Sequence, residues 1–494
     1  MTGSLASVGT SVATGDWLAK LTGWVDAVDG CVWGMPLILT VLATGVIITV
    51  IIRLEHLFSL GRAFRYMIAT EQDGHGEVSA FGALCTALAA TIGIGNIVGV
   101  ATAVGTGGPG SLFWMTLAAF VGMGTKYAEG LLAVKYREVG ADGRVLGGPF
   151  YYIERGLGPK WKALAVLFAI FGAAAAIMGT GTLTQIHGIT SAVQRFFDPQ
   201  FDPSDLSTGV RLFGTSYSPS AMVAGLIVSV AVTLVLVGGL KRIAKVSTLV
   251  VPFMAVLYVM MCLLVICGNI SRLWDAIDLI VRSAFNPAAY TGGAIGTVFL
   301  AMQKGVARGI FSNEAGLGSA PIAAAAAKTN EPARQGLVCM MGTFVTIIIC
   351  IMTGLAIVIT GAWEPSLGLE GVGITIEAFN RGLSFIPSSR LVASFFLMVS
   401  LVFFAFTTIL GWSYYAERCL EYLVGWDRIG IIRAYRALYI LMVFVGPYLT
   451  VSVVWGFADI FNGLMAFPNL IALILLSPVV WRVTRDFMAR YPNS

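Results

Sequence analysis

Residues 83–109, ALCTALAATIGIGNIVGVATAVGTGGP, read as membrane helix at both ends, yet carry Gly93, Gly95 and Gly99 at the centre with Asn96 as the only strongly polar side chain. A helix with such a middle is expected to break. In hydrocarbon an unpaired N–H or C=O is expensive, so unwound backbone survives only where protein surrounds it or a cavity wets it. The rest of the chain must therefore wrap this segment. A break at mid-depth offers carbonyl oxygens to a cation and helix N-terminal amides to an anion such as a carboxylate.

Of the 494 residues, 57% are hydrophobic, only 12% are charged and 58 are glycine, which describes a polytopic membrane protein with little room for a soluble domain. The net charge of +5 does not mark a nucleic-acid binder, because the basic residues are dispersed between apolar spans. They suit loops facing an anionic leaflet. The seven cysteines form no CxxC pair and no Cys–His ligand spacing, so they read as small core residues rather than a zinc or disulfide framework. Residues 1–33 are too polar for a cleavable signal peptide and read as an extracytoplasmic N-terminal segment.

Windows of about 20 apolar residues mark a span. Eleven are expected: 34–58, 81–106, 111–136, 162–196, 219–239, 246–268, 294–328, 337–361, 390–418, 432–454 and 457–482. Of the 31 lysines and arginines, 22 then fall on one side, including Lys126, and 7 on the other, with Lys304 and Arg308 inside a span. The positive-inside rule places the amino terminus outside and the 483–494 tail in the cytoplasm.

The span at 34–58 stands apart from ten that divide into two sets of five, 81–268 and 294–482. An odd number per set inverts the second relative to the first. Each set opens with an interrupted helix, GIGN at 93–96 and FSNEAGLGS at 311–319. Paired interruptions in two halves point to a secondary-transporter site. Close-packing glycine seams would explain the breaks less well, since a Ser-Asn-Glu run has no place in a packing seam.

GIGNIVGVATAVGTGGPGSLFWM (93–115), GIFSNEAGLGSAPIAAAAA (309–327) and TTILGWSYYAER (407–418) resemble, in order, the alanine or glycine:cation symporter family, which includes the sodium:alanine symporters. The resemblance runs from about residue 30 to 485 and implies an all-α membrane protein with the LeuT-type 5+5 inverted repeat plus one N-terminal helix. It implies sodium-coupled, or proton-coupled, uptake of a small neutral amino acid across the plasma membrane, with no cofactor and no enzymatic activity. It also implies a sodium site built from the carbonyls of Ala89 and Ile92 and the hydroxyls of Thr407 and Thr408, hard oxygen ligands that suit that ion. Substrate carboxylate would meet the amides of Gly93, Ile94 and Gly95, with Asn96 as a cap or direct contact. Substrate ammonium would meet carbonyls near Thr91 and the Gln185 side chain, between aromatic walls Phe311 and Trp412.

Two positions depart from the family pattern: Ile94 stands where many members have threonine, and His187 where many have asparagine. His187 titrates near neutrality in its ordinary state and leaves proton coupling open. Glu314 is the costliest residue of the membrane region. It reads as a coupling group, as a partner of Lys304 or Arg308, or as a ligand of unwound backbone. A channel is disfavoured by the lack of a filter motif or Arg repeat, and an intramembrane enzyme by the lack of HExxH, GxSxG or a Cys–His pair. Substrate identity, stoichiometry and oligomeric state leave no mark in the sequence.

Overall fold

The structure, a computed structural model, describes residues 16–69, 75–140, 144–202, 209–212, 215–285, 294–448 and 451–491. Residues 1–15 of the expected N-terminal segment and the last three residues of the tail lie outside them.

In chain order the principal helices are α1 (Asp16–Val32), α2 (Met35–Ile51), α3 (Leu60–Ile68), α4 (Ala80–Thr91), α5 (Val98–Gly107), α6 (Gly110–Lys135), α7 (Lys162–Met178), α8 (Leu183–Phe197) and α9 (Pro219–Leu236). They continue as α10 (Gly239–Gly268), α11 (Leu273–Phe285), α12 (Ala294–Asn313), α13 (Ala320–Ala324), α14 (Pro332–Ile359), α15 (Val372–Gly382), α16 (Ser389–Val424), α17 (Ile429–Val445) and α18 (Val451–Arg490). Two short hairpins, 138–139 with 145–146 and 210–212 with 215–217, sit in connections. Among the described residues, eight helical stretches are long and apolar enough to cross a membrane, and the bent pair α4/α5 makes nine. The remaining two expected spans, α6 and α12, fall short because of their glycines and threonines, together with Lys126 and Glu129 in one and Gln303, Lys304 and Arg308 in the other.

The helices form the expected bundle. The face where α4 begins and α6 ends is here the near face, and the opposite one the far face. Burial follows from helix surfaces made of small residues, which let backbones approach closely. Along the α6–α14 contact, a methyl built on Gly130 would lie 2.6 Å from Cys339 Sγ, and one on Gly336 2.7 Å from the Tyr127 carbonyl. Outward-facing Val223, Ile227 and Val230 on α9 and Leu249, Phe253 and Val256 on α10 leave an apolar belt exposed, as a lipid-facing surface requires.

Three features differ from the sequence reading. The expected single span at 162–196 is interrupted at 179–182, between α7 and α8. Two helices, α11 and α15, lie in connections between the expected spans. Lys126, placed on the basic loop side, is buried inside α6.

Candidate functional site

At the first break, α4 and α5 meet at 66° around Ile94–Asn96, a single 3-10 turn. An unbroken helix would aim the Gly93 amide at the Ala89 carbonyl. Here that amide bonds the Asn96 side-chain oxygen at 3.0 Å and the Thr91 carbonyl at 3.1 Å. Asn96 thus acts as the cap of the break, and its Nδ2 donates to Ser312 Oγ at 2.8 Å in the second half of the chain. Thr353 Oγ1 donates to the Asn96 carbonyl at 3.1 Å, so α12 and α14 together brace the turn.

Carbonyls released by the break face α16. Thr408 Oγ1 lies 3.3 Å from the Ile92 carbonyl, and both Thr407 and Thr408 hydroxyls lie 3.0 Å from the Phe404 carbonyl. Of the proposed sodium ligands, Thr408 reaches the Ile92 carbonyl, whereas the Thr407 hydroxyl bonds the Phe403 and Phe404 carbonyls of its own helix and approaches Met254 Sδ at 3.6 Å. The structure adds the Phe404 carbonyl, which no sequence signal distinguishes from its neighbours. Ala89, one turn before Ile92, is fully buried.

Beside this point stands Gln185 on α8. Its Oε1 accepts from the Ile94 amide at a long 3.4 Å, and its Nε2 donates to the Thr180 carbonyl at 3.1 Å. The 179–182 interruption places it: Asn462 holds Thr180 Oγ1 at 2.7 Å, and the Tyr439 hydroxyl ties the Gly181 and Ile409 carbonyls at 2.8 and 2.7 Å. A methyl on Gly93 would lie 2.7 Å from Thr408 Oγ1 and 3.0 Å from Gln185 Oε1, so glycine here is required by close approach. His187 does not join the site. Its Nε2 pairs with Ser191 of the same helix at 3.3 Å, while Gly188 carries α8 onto Ile94.

The second break, 314–319, depends on glycine differently: Gly316 and Gly318 have φ of +86° and +79°, and Glu314 itself sits at +54°. Side chains do not enter that region cheaply. Glu314 pairs with neither Lys304 nor Arg308. Its carboxylate accepts from Ser319 Oγ at 2.7 Å, Trp412 Nε1 at 2.9 Å and Thr91 Oγ1 at 3.2 Å, joining both breaks and α16. Trp412, expected as a free aromatic wall, is therefore held by its indole nitrogen. Phe311 packs against the first break, with Cδ1 2.8 Å from a methyl built on Gly95.

Charged groups are paired toward both ends. Toward the far face Arg308 bonds Asp459 at 3.1 Å, its guanidinium over Trp455 and Phe311 at 5.3 and 5.7 Å, and Trp33 Nε1 donates to the Asp459 carbonyl at 2.7 Å. Toward the near face Arg418 meets Glu77 at 3.3 Å, and Arg137 donates to the carbonyls of Ala325 and Ala327 at 2.7 Å and to those of His75 and Thr329. The sequence reading missed these partners, since residues such as Arg308 and Asp459 are 151 positions apart.

Comparisons with known proteins bear on the fold and the family. The structure of MhsT in complex with L-phenylalanine matches with a TM-score of 0.54 over 83% of this chain and 98% of that one, at 13% identity, which shows a shared LeuT-type fold. An uncharacterized transporter of Haemophilus influenzae is 51% identical over 94% of this chain and 96% of its own length. The sodium/alanine symporter AgcS of Methanococcus maripaludis is 43% identical over the same shares. With the family profile matching residues 18–493, the chain belongs to the sodium:alanine symporter family.

Proposed function

We propose that the protein imports a small neutral amino acid of the alanine or glycine class together with sodium, by alternating access in the plasma membrane. It works as a carrier and catalyses no covalent step. Sodium takes the point framed by the Ala89, Ile92 and Phe404 carbonyls and the Thr407 and Thr408 hydroxyls. The substrate carboxylate takes the amides of the first break, at the positive end of the α5 half-helix. Gln185 Oε1, which now borders the Ile94 amide, turns to accept from the substrate ammonium, as do carbonyls near Thr91. Phe311 and Trp412 bound the space for the side chain, and Ile94 narrows it further. The near face is cytoplasmic, with the amino terminus outside and the carboxy terminus inside; residues 81–268 and 294–482 are the two repeats that rock against each other. Opening outward separates Arg308 from Asp459, and opening inward releases Glu77 from Arg418.

The observation that carries this reading is the contact of Thr408 with the Ile92 carbonyl beside Gly93, because it brings a hydroxyl of one helix against the freed backbone of the other. Proteoliposomes given alanine, glycine, serine, leucine or glutamine, with sodium, lithium or choline as the only cation, test it. Saturable alanine or glycine uptake that needs sodium is expected. Uptake indifferent to the cation, or leucine moved as well as alanine, would overturn the cation or the substrate class respectively.

A further inference from the structure

Three ionisable groups that the sodium and substrate sites leave unused, or use only as a strut, meet around the second break. Lys126 and Glu129 lie one turn apart on α6 with exposures of 2% and 0%, and Glu314 is 1% exposed. Glu129 Oε1 accepts from Asn469 Nδ2 at 2.7 Å and from the Gly318 amide at 3.2 Å. Its Oε2 faces Lys126 Nζ at 3.8 Å, and among the described residues neither of those two atoms has a hydrogen-bond partner. The other groups facing the cluster are neutral: Tyr152, bonded to Asn469, on the segment after α6; Cys339 and Gln335 on α14; and Tyr415 on α16, whose hydroxyl is unpartnered. Lys126 pairs directly with Glu129, while the Glu314 carboxylate, held by Ser319, Trp412 and Thr91, feels the Lys126 charge only at longer range, so two buried carboxylates stand against one ammonium. An uncompensated charge in such a place costs several kcal/mol unless a proton or cation joins it. A metal ion would need several converging oxygens. The open acceptor, Glu129 Oε2, instead faces an ammonium, which leaves room for a proton alone.

We propose that the Lys126–Glu129–Glu314 cluster holds one exchangeable proton, and that sodium arriving at the Ile92–Thr408 point drives it off. The link runs through Thr91, adjacent to Ile92 and bonded to Glu314. Sodium brings one positive charge, the proton leaves to the aqueous side then open, and the net charge of the protein is unchanged. The proton belongs to the coupled cluster rather than to one residue. On this scheme the empty carrier returns outward protonated, so import of sodium and amino acid is accompanied by proton export.

The inference rests on the sodium reading above. Purified protein in weakly buffered detergent with a pH indicator is given sodium chloride or choline chloride, and sodium affinity is read by thermal shift across a pH series. About one proton released per sodium bound is expected, with half-saturating sodium rising about tenfold per unit fall in pH where the cluster is loaded. Glu129→Gln and Glu314→Gln should bind sodium with little proton release and a flat pH dependence. Sodium binding to the wild type without proton release overturns the proposal, and needs no variant to fold. Release that persists in both variants also overturns it. If Thr408→Val leaves sodium affinity unchanged while release occurs, the sodium site is misplaced and the proton site stands. Absence of any sodium effect on the wild type removes both.

Discussion

Gly93→Ala adds one methyl group at the centre of the candidate site. The residue has φ −128° and ψ −159°, extended backbone that alanine adopts freely, so the change strains nothing locally. Its cost is steric. The new carbon would lie 2.7 Å from Thr408 Oγ1, 3.0 Å from Gln185 Oε1 and 3.4 Å from Gln185 Nε2, whereas non-bonded heavy atoms settle near about 3.5 Å. Pushing both side chains back by several tenths of an ångström costs about 1–3 kcal/mol. Because the displaced groups are the ones proposed to hold sodium and ammonium, the cost falls on the loaded state. At about 1.4 kcal/mol per tenfold, it weakens coupled binding by ~5- to 150-fold. Gly99→Ala is the control: it lies in the first turn of α5, and nothing lies within 4 Å of its added methyl. Sodium-driven alanine uptake per inserted molecule, with thermal unfolding alongside, separates the two. Normal uptake and sodium dependence in Gly93→Ala would refute the close-approach argument.

Thr408→Val keeps shape and removes the hydroxyl next to the Ile92 carbonyl. A bond to a charged group contributes about 1.5–3 kcal/mol, so half-saturating sodium should rise at least tenfold in uptake titrations, and an unchanged value removes Thr408 from the site. Trp412→Phe deletes the N–H that holds Glu314 and should lower the unfolding free energy by about 1–3 kcal/mol while keeping the order of substrates. Trp412→Ala should additionally admit valine-sized substrates, and competition assays against alanine would detect the difference. Asp459→Asn removes the charge that holds Arg308, so an Ala307→Cys probe in the cavity lined by Trp33, Lys304, Ala307, Arg308 and Asp459 should react several-fold faster with an impermeant thiol reagent; an equal rate would mean the pair closes nothing.

Both main breaks are legible in the sequence because closely spaced glycines beside a polar side chain, set inside an apolar run, suit an unwound turn far better than a continuous helix. The inverted pairing of the halves is legible too, from the odd number of spans in each. The 179–182 interruption is not, since Met-Gly-Thr-Gly-Thr also suits a packing seam, and two of the groups that hold it, Asn462 on the Thr180 hydroxyl and Tyr439 on the Gly181 carbonyl, lie far along the chain. Lys126 is misread for a similar reason: a lysine within ten residues of a helix end resembles a boundary, and its burial follows from Glu129 and the packing of α14. Glu314 is correctly marked as costly, but proximity in sequence suggests Arg308 while the fold gives Arg308 to Asp459. Gln185 and His187 differ by two residues and so point to opposite sides of α8; the resemblance ranks both, and helix geometry keeps one.

The strut from Asn96 to Ser312 spans 216 residues of sequence. At about 5–20 residues per second of synthesis, the first unwound turn therefore exists for ~10–40 s before its partner leaves the ribosome. During that interval the GIGN segment has no second-half groups to satisfy its polar backbone, and lipid offers none. The nascent chain must either keep α4–α5 transiently straight or shelter it within the insertion machinery. Truncations ending before residue 312 should accordingly be marked for degradation even though every helix up to that point has been made.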